Sequence, residues 1–194
     1  MMVLDVDNLK DAKITLFLIF TNIFVYFFIT IAIPNSLYYI VQINRLVLED
    51  YEYWRLITSI FIHGDLIHLF SNMFGLFLFG VTVETNKLIS KLQYLIIYFI
   101  SGIIGNIFTL FLLPINTISL GASGAIFGLL GVAFIMIATD YQPLIFFALF
   151  YIIFFIATSF APGINYWAHL FGLLGGLFFG YIFYWRKRDL INNY

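Results

Sequence analysis

The sequence contains no cysteine, so neither a disulfide bond nor a thiolate metal site can form. Charged residues make up only 10% of the chain, well below the roughly one quarter found in soluble domains, whereas hydrophobic residues make up 63%. The net charge of −1 provides no basic surface, so no nucleic-acid partner is predicted. A chain with so little charge and so much apolar surface needs the lipid bilayer as its solvent.

Long uncharged stretches predict transmembrane helices, because a bilayer core about 30 Å thick needs about 20 apolar residues in helical form. Six stretches reach or approach this length: Ile14 to Ile33, Leu66 to Val83, Leu92 to Leu113, Ser123 to Thr139, Pro143 to Ala161 and Tyr166 to Trp185. None alternates as a barrel strand does, and no internal repeat divides the chain. The sequence therefore predicts an all-α polytopic membrane protein with one six-helix domain.

Basic residues predict the orientation, because lysine and arginine are enriched in cytoplasmic loops. With six spans, both termini lie on the same side of the membrane. That side carries seven basic residues, and the opposite side carries two. The seven are Lys10, Lys13, Lys87, Lys91, Arg186, Lys187 and Arg188, and the two are Arg45 and Arg55. Residues 1–13 are thus expected to be a short cytoplasmic tail, 14–185 the core, and 186–194 a basic cytoplasmic tail. Residues 34–59 form an external first loop, which its length and aromatic content predict to be folded. The charge count fits a plasma membrane, that is, the cell membrane.

Polar residues inside predicted spans are candidates for function, because such groups are costly in lipid. They are His63, His68, Asn72, Asn106, Ser123 and His169. Ser123 and His169 each lie 17 residues before the charged residue that closes their helix, and His68 lies 16 residues before its own. The three helices run in one direction, so these side chains share a level roughly 25 Å from the inner boundary. Asn72 lies one turn deeper than His68 on the same face.

Glycines at intervals of three or four residues mark one face of the fourth helix and one of the sixth. The two sets are Gly124, Gly128 and Gly131, and Gly172, Gly176 and Gly180. Such spacing lets helix backbones approach closely. If the two faces pack together, His169 comes near Ser123. Close packing without any chemistry is the alternative interpretation of the same glycines.

A serine beside a histidine indicates nucleophilic catalysis, since a hydroxyl group needs an adjacent base. An apolar bundle disfavours the charged imidazole, so His169 stays able to accept a proton. Ser123 opens its helix, where free N–H groups and the positive end of the helix dipole favour an oxyanion. His68 and Asn72 can add side-chain donors to it. No aspartate is placed to orient His169, so the sequence predicts a dyad.

Several motifs occur in a fixed order along the chain. They are WR at residues 54–55, HGDLIHLFSNMFGLFLFG with its H-x-x-x-N from His68 to Asn72, Glu84 at the end of the second helix, GASG before the fourth helix, and AHLFGLLGG around His169. Together they resemble the motifs of the rhomboid intramembrane serine proteases. The resemblance spans nearly the whole chain, from the first helix to the sixth.

The resemblance implies a six-helix core that cleaves other membrane proteins in or near their transmembrane segments, without a metal or other cofactor. Ser123 would be the nucleophile and His169 the general base. His68, Asn72 and the backbone N–H of Ser123 would form the oxyanion hole. Gly121 would keep the loop before Ser123 tight. Trp54 and Arg55 would be structural residues of the first loop.

Three further residues are expected to support the site. Gly124 belongs to the helix contact, and His63 is expected to line a water-filled cavity above Ser123. Phe127 stands where some members of this family carry a tyrosine that stacks on the histidine; phenylalanine keeps the stacking surface and loses the hydroxyl group. Substrate entry is expected beside the fifth helix, where Pro162 and Gly163 allow a mobile cap.

Three other interpretations concern the same residues. A catalytically inactive rhomboid-like protein that binds transmembrane clients is the main alternative, although such relatives usually lack the serine or the histidine. A transporter would show inverted repeats or midplane charges, and the sequence has neither. A zinc site is disfavoured because His63, His68 and Glu84 are spread over five helical turns.

Overall fold

The structure is a computed structural model that describes residues 6–161 and 163–192. Residues 1–5 and 193–194 of the two predicted tails, and Pro162 of the expected cap, lie outside the described residues. The long helices of the described part are α1 Lys13–Ala32, α2 Leu66–Glu84, α3 Lys91–Leu112, α4 Ser123–Asp140, α5 Gln142–Thr158 and α6 Tyr166–Ile191. Their type and order confirm the all-α polytopic class.

The predicted number of six spans rests on α5. The other five long helices of the described chain are long and apolar enough to cross a membrane. α5 covers residues 142–158 and begins with a 3-10 turn at Gln142–Leu144 that contains Pro143. At 1.5 Å per residue it rises about 25 Å, less than the bilayer core of about 30 Å. Length and composition therefore give five candidate spans among the described residues, and the sixth span stays a prediction.

The first loop is folded and is joined to the segment that precedes α4. Its short helices are Pro34–Ser36, Leu37–Ile40, Asn44–Leu48, Arg55–Thr58 and Ser59–Phe61, and another short helix, Val6–Asp11, precedes α1. Strand β1, Gln42–Ile43, pairs antiparallel with β2, Ile118–Ser119. This two-residue ladder fixes the chain just before Ser123.

Arg55 organises the first loop from a buried position. Its side chain is 1% exposed and donates hydrogen bonds to the carbonyl oxygens of Tyr38 (2.6 Å) and Val41 (2.7 Å). It also pairs with the carboxylate of Glu52. These bonds satisfy the buried guanidinium and tie two turns of the loop together. Trp54, by contrast, is half exposed.

Glu84 joins the ends of three helices at the opposite side of the bundle from Ser123. Its buried carboxylate accepts hydrogen bonds from the backbone N–H groups of Ile14 (3.0 Å) and Thr15 (2.7 Å), in the first turn of α1. Lys91, at the start of α3, lies 2.8 Å away. The carboxylate therefore caps α1 and compensates the lysine charge.

α4 is the central helix of the bundle. Every residue from Gly124 to Ala133 is buried, and the helix packs against both α3 and α6. A Cβ atom on Gly172 would overlap the carbonyl oxygen of Gly124, and one on Gly176 would overlap that of Gly128. The two backbones touch directly at these glycines, so no larger residue fits there. α2 and α6 each include a π-helical segment, Leu76–Gly80 and Tyr181–Trp185, and the last part of α6 belongs to the α-helical segment Arg186–Asn192.

Candidate active site

The segment before Ser123 is held by backbone hydrogen bonds and contains a glycine with a positive φ. Gly121 donates its N–H to the carbonyl oxygen of Ser59 at 2.9 Å. Its φ of +120° lies in the region that only glycine adopts readily. A Cβ atom added to Gly121 would lie 2.8 Å from Nε2 of His68 and 3.8 Å from Oγ of Ser123. The absence of a side chain therefore leaves room for His68 beside Ser123.

Ser123 and His169 are in direct contact. Oγ of Ser123 lies 2.7 Å from Nε2 of His169. Ser123 is the first residue of α4, and His169 lies in the first turn of α6, next to the glycine contact between Gly124 and Gly172. The close approach of the two backbones brings together side chains that are 46 residues apart in sequence.

His169 also contacts a residue that the sequence did not suggest. Oγ of Ser159 lies 2.7 Å from Nδ1 of His169, so both ring nitrogens have a partner. Ser159 follows the last residue of α5 and is 2% exposed. Neither the glycine spacing nor the count from the helix ends, which brought Ser123 and His169 together, includes Ser159, so the sequence patterns did not reveal this pair.

His68 and Asn72 lie on the cavity side of α2. His68 is half buried, and its ring lies beside Gly121. Asn72 is 7% exposed, and its Nδ2 donates to the carbonyl oxygen of His68 at 2.9 Å. One N–H of this amide group is thus bound within the helix and the second stays available.

Phe127 stacks on His169. The ring centroids are 4.3 Å apart and the ring planes differ by 10°. Phe127 also contacts Phe155 of α5 edge to face. The aromatic face fixes the plane of the imidazole ring, which is the stacking contact that the sequence resemblance leads us to expect at this position.

His63 does not line the cavity, contrary to the expectation from the sequence. Its side chain is 3% exposed, and its ring packs edge to face on His68 with centroids 5.1 Å apart. In the part of the chain that is described, neither ring nitrogen has a hydrogen-bond partner. Burial, with a smaller contribution from His68, lowers the pKa of His63 to about 3, so this imidazole is neutral. His63 thus packs against His68 and is not among the residues of the cavity wall.

Asn165 fixes the start of α6. Its Oδ1 accepts the N–H of Ala168 at 3.1 Å, while its Nδ2 donates to Thr109 (2.8 Å) and Ser119 (3.0 Å). The amide thus caps the helix that carries His169 and binds it to α3 and β2. An asparagine just before an apolar helix is a recognisable capping signal, although the sequence analysis did not use it.

The polar residues surround one cavity of about 850 Å³. Its wall includes His68, Asn72, Gly121, Ser123 and His169, together with Gly124 and Phe127. Among the described residues, no three histidine, aspartate or glutamate side chains stand close enough together to hold a metal ion. Within this cavity Ser123 lies against a histidine that can take its proton, and other lining side chains offer hydrogen-bond donors.

Comparison with known proteins gives one consistent result. A protein-family model described as "Rhomboid domain" matches residues 50–186. The chain is 38% identical over 145 residues to the Bacillus subtilis protein named "Putative rhomboid protease YdcA", an alignment that covers 71% of this chain and 70% of that protein. It is 37% identical over 143 residues to "RHOMBOID-like protein 6, mitochondrial" of Arabidopsis thaliana, an alignment that covers 70% of this chain and 45% of that protein.

A third relative carries a different description. The chain is 39% identical over 95 residues to "Inactive RHOMBOID-like protein 8" of Arabidopsis thaliana, which covers 48% of this chain and 26% of that protein. The chain thus spans most of the bacterial relative and less than half of each plant relative.

Proposed function

The chain belongs to the rhomboid family, and from this premise we propose that it is an intramembrane serine endopeptidase. Its substrates are transmembrane proteins, which it cleaves in or near their membrane-spanning segments. The observation that carries the proposal is the 2.7 Å contact between Oγ of Ser123 and Nε2 of His169. A hydroxyl group in hydrogen-bond contact with a neutral imidazole is the arrangement that makes serine a nucleophile.

The reaction begins when Nε2 of His169 accepts the proton of Ser123. Oγ then attacks the carbonyl carbon of the scissile peptide bond, and a tetrahedral oxyanion forms. As the C–N bond breaks, His169 returns the proton to the leaving amine, and an acyl-enzyme remains. Water, activated by the same histidine, hydrolyses the acyl-enzyme. No metal or other cofactor is needed for these steps.

The oxyanion is stabilised at the start of α4. The backbone N–H of Ser123 belongs to the first turn of a helix, where N–H groups have no acceptor within the helix. His68, which stands beside Gly121, and the free N–H of Asn72 supply side-chain donors. Gly121 keeps this space open, and Gly124 and Phe127 support the position of His169.

The charge pattern supports the orientation, and the first and last apolar stretches support the domain limits. We assign residues 14–185 to the proteolytic core, with residues 34–59 outside the membrane and both tails in the cytoplasm. The cavity then opens toward the outside, from which water reaches Ser123. The integral membrane protein is assigned to the plasma membrane, where seven basic residues face inward and two outward.

Substrate enters beside α5, the helix least embedded in the bundle. Within Ile145–Thr158, Ala148 alone is buried, whereas the described residues of α4 are mostly buried. A transmembrane substrate must unwind locally before cleavage, because a formed helix keeps its carbonyl groups in hydrogen bonds.

An inactive rhomboid-like protein that binds transmembrane clients is the second candidate. One relative described as inactive favours it. The presence of both Ser123 and His169 in contact favours the protease, because a binding protein has no use for a nucleophile paired with a base.

Labelling with a fluorophosphonate tests the proposal. The purified wild-type protein in detergent should label at Ser123, and Ser123→Ala and His169→Ala should not label. Ser36→Ala, which removes a hydroxyl group bonded locally in the first loop, is the matched control and should label as the wild type does. Labelling that survives in Ser123→Ala would show that another residue is the nucleophile. A wild-type protein that stays unlabelled but co-purifies with transmembrane clients would support the second candidate.

A further inference from the structure

Ser159 forms a continuous chain of polar contacts with the proposed dyad. Its Oγ lies 2.7 Å from Nδ1 of His169 and 2.8 Å from the carbonyl oxygen of Phe155, one turn earlier in α5. Both Ser159 and His169 are more than nine-tenths buried. The bond between them is thus sheltered from bulk water.

The direction of each hydrogen bond follows from the number of protons available. A carbonyl oxygen only accepts, so the hydroxyl group of Ser159 donates its single proton to Phe155. Oγ of Ser159 then accepts from Nδ1–H of His169. Because a neutral imidazole carries one N–H, Nε2 is left bare and accepts the proton of Ser123. This assignment satisfies every contact at once.

The opposite assignment leaves one close contact without a proton. If Ser159 donated to Nδ1, its Oγ and the carbonyl oxygen of Phe155 would face each other at 2.8 Å as two acceptors. Nε2 of His169 would then carry the proton and point it at Ser123, and the imidazole could not act as a base. The contacts of Ser159 therefore select the productive tautomer.

From this geometry we infer that Ser159 is a positioning residue for His169. It occupies the place that an aspartate takes in a Ser-His-Asp triad, where the third group holds the imidazole in the correct tautomer and orientation. The inference rests on the proposed protease function. Phe127 fixes the plane of the same ring by stacking, but an aromatic face cannot choose between the two nitrogens.

The position of Ser159 links the base to the helix beside which substrate enters. Ser159 stands at the end of α5, and the helix is held by little buried surface. An outward movement of this helix end separates Oγ of Ser159 from Nδ1 of His169. The position of this end of α5 and the ability of His169 to act as a base are therefore coupled through one hydrogen bond.

Thr158 provides a matched control one residue away. Its Oγ1 also donates to the carbonyl oxygen of Phe155, at 2.8 Å, but the side chain is exposed. Removing either hydroxyl group takes one hydrogen bond from the same helix end. Ser159 is distinguished by its contact with His169.

The first experiment measures the rate of fluorophosphonate labelling as a function of reagent concentration. Ser159→Ala should lower the maximal labelling rate about 10-fold and leave the half-saturating concentration unchanged. A factor of about 10 corresponds to the loss of one neutral hydrogen bond. Ser159→Thr keeps the hydroxyl group and should restore the rate, and Thr158→Ala should react as the wild type does. An unchanged rate in Ser159→Ala, an equal loss in Thr158→Ala, or no recovery in Ser159→Thr would each overturn the inference.

The second experiment reads the tautomer directly. The chain has three histidines, so ¹⁵N-histidine labelling gives few imidazole signals, and His169→Ala identifies those of His169. Nδ1 of His169 should be protonated and Nε2 bare in the wild type, and Ser159→Ala should produce a mixture. A wild-type spectrum with the proton on Nε2, or one that Ser159→Ala leaves unchanged, would contradict the inference. This measurement needs no activity, so an unlabelled wild type would count against the proposed function alone.

Discussion

At the scale of single residues, the environment of Ser123 is built from distant parts of the chain. His169 comes from α6, His68 from α2 and Gly121 from the segment that β2 anchors. Gly121 is needed both for its φ of +120° and for the space that His68 occupies. The chemistry proposed for Ser123 thus depends on short distances between side chains of different helices.

Replacement of the proposed oxyanion donors should slow turnover without unfolding the protein. His68→Ala and Asn72→Ala should each lower kcat roughly 10- to 1000-fold, because each removes a donor that acts on the transition state. Cleavage of a transmembrane reporter substrate measures the effect. Ser71→Ala, which removes a hydroxyl group bonded to the backbone of α2, is the control and should stay near the wild-type rate. Wild-type rates in both donor variants would show that the oxyanion hole lies elsewhere.

At the scale of helices, the direct backbone contact between α4 and α6 sets the position of the dyad. The contact between Gly124 and Gly172 lies next to Ser123 and within one turn of His169. A larger residue there would separate the helices and lengthen the bond between the serine and the histidine. The glycines therefore serve packing and chemistry together, and the two interpretations of the sequence are compatible.

Two adjacent glycines of α6 should differ sharply in their tolerance of alanine. Gly176→Ala forces a methyl group into the backbone of Gly128 and should cost about 3 kcal/mol, the upper part of the usual range for overpacking. Gly175→Ala meets its nearest atom, Oγ of Ser101, at 3.2 Å, which is a milder contact and is made with a side chain rather than with backbone. Thermal loss of helical circular dichroism in detergent compares the two. Equal melting temperatures would mean that α4 and α6 do not touch at Gly176.

At the scale of the whole molecule, the charged residues lie at the ends of the helices. Glu84 and Lys91 hold α1, α2 and α3 together at one end, and Asp140 accepts a hydrogen bond from Arg188 at 3.0 Å. Asp140 also bonds to the hydroxyl group of Tyr184. Ser123 lies toward the opposite end of α4 from Asp140, so the proposed cavity and these charges are separated by the thickness of the bundle.

The proposed orientation is testable because the chain has no cysteine of its own. Glu49→Cys in the first loop and Lys87→Cys between α2 and α3 both introduce a thiol at an exposed position. In intact cells of a bacterial expression host, a membrane-impermeant maleimide should label Glu49→Cys and leave Lys87→Cys unlabelled until the membrane is permeabilised. The reverse pattern would place both termini outside and invert the proposed topology.

Much of the fold could be predicted because membrane helices are recognisable from short, continuous stretches of sequence. Length and lack of charge identified the long helices, and the number of residues from each helix end brought Ser123, His68 and His169 to one level. The limits of α5 were less predictable. Pro143 and the residues just after Thr158 are uncharged, so they do not mark where the helix begins or ends. Hydropathy alone cannot tell where helical hydrogen bonding stops.

The sequence by itself determined the membrane environment, the all-α class and the residue types available for chemistry, since composition and spacing are local properties. The tertiary structure decided which atoms meet. It packed His63 against His68 and outside the cavity wall. It also brought Ser159, which follows the last residue of α5, to Nδ1 of His169. These outcomes depend on how helices rotate and cross, and the physical reason is that contacts between helices have no fixed separation in sequence.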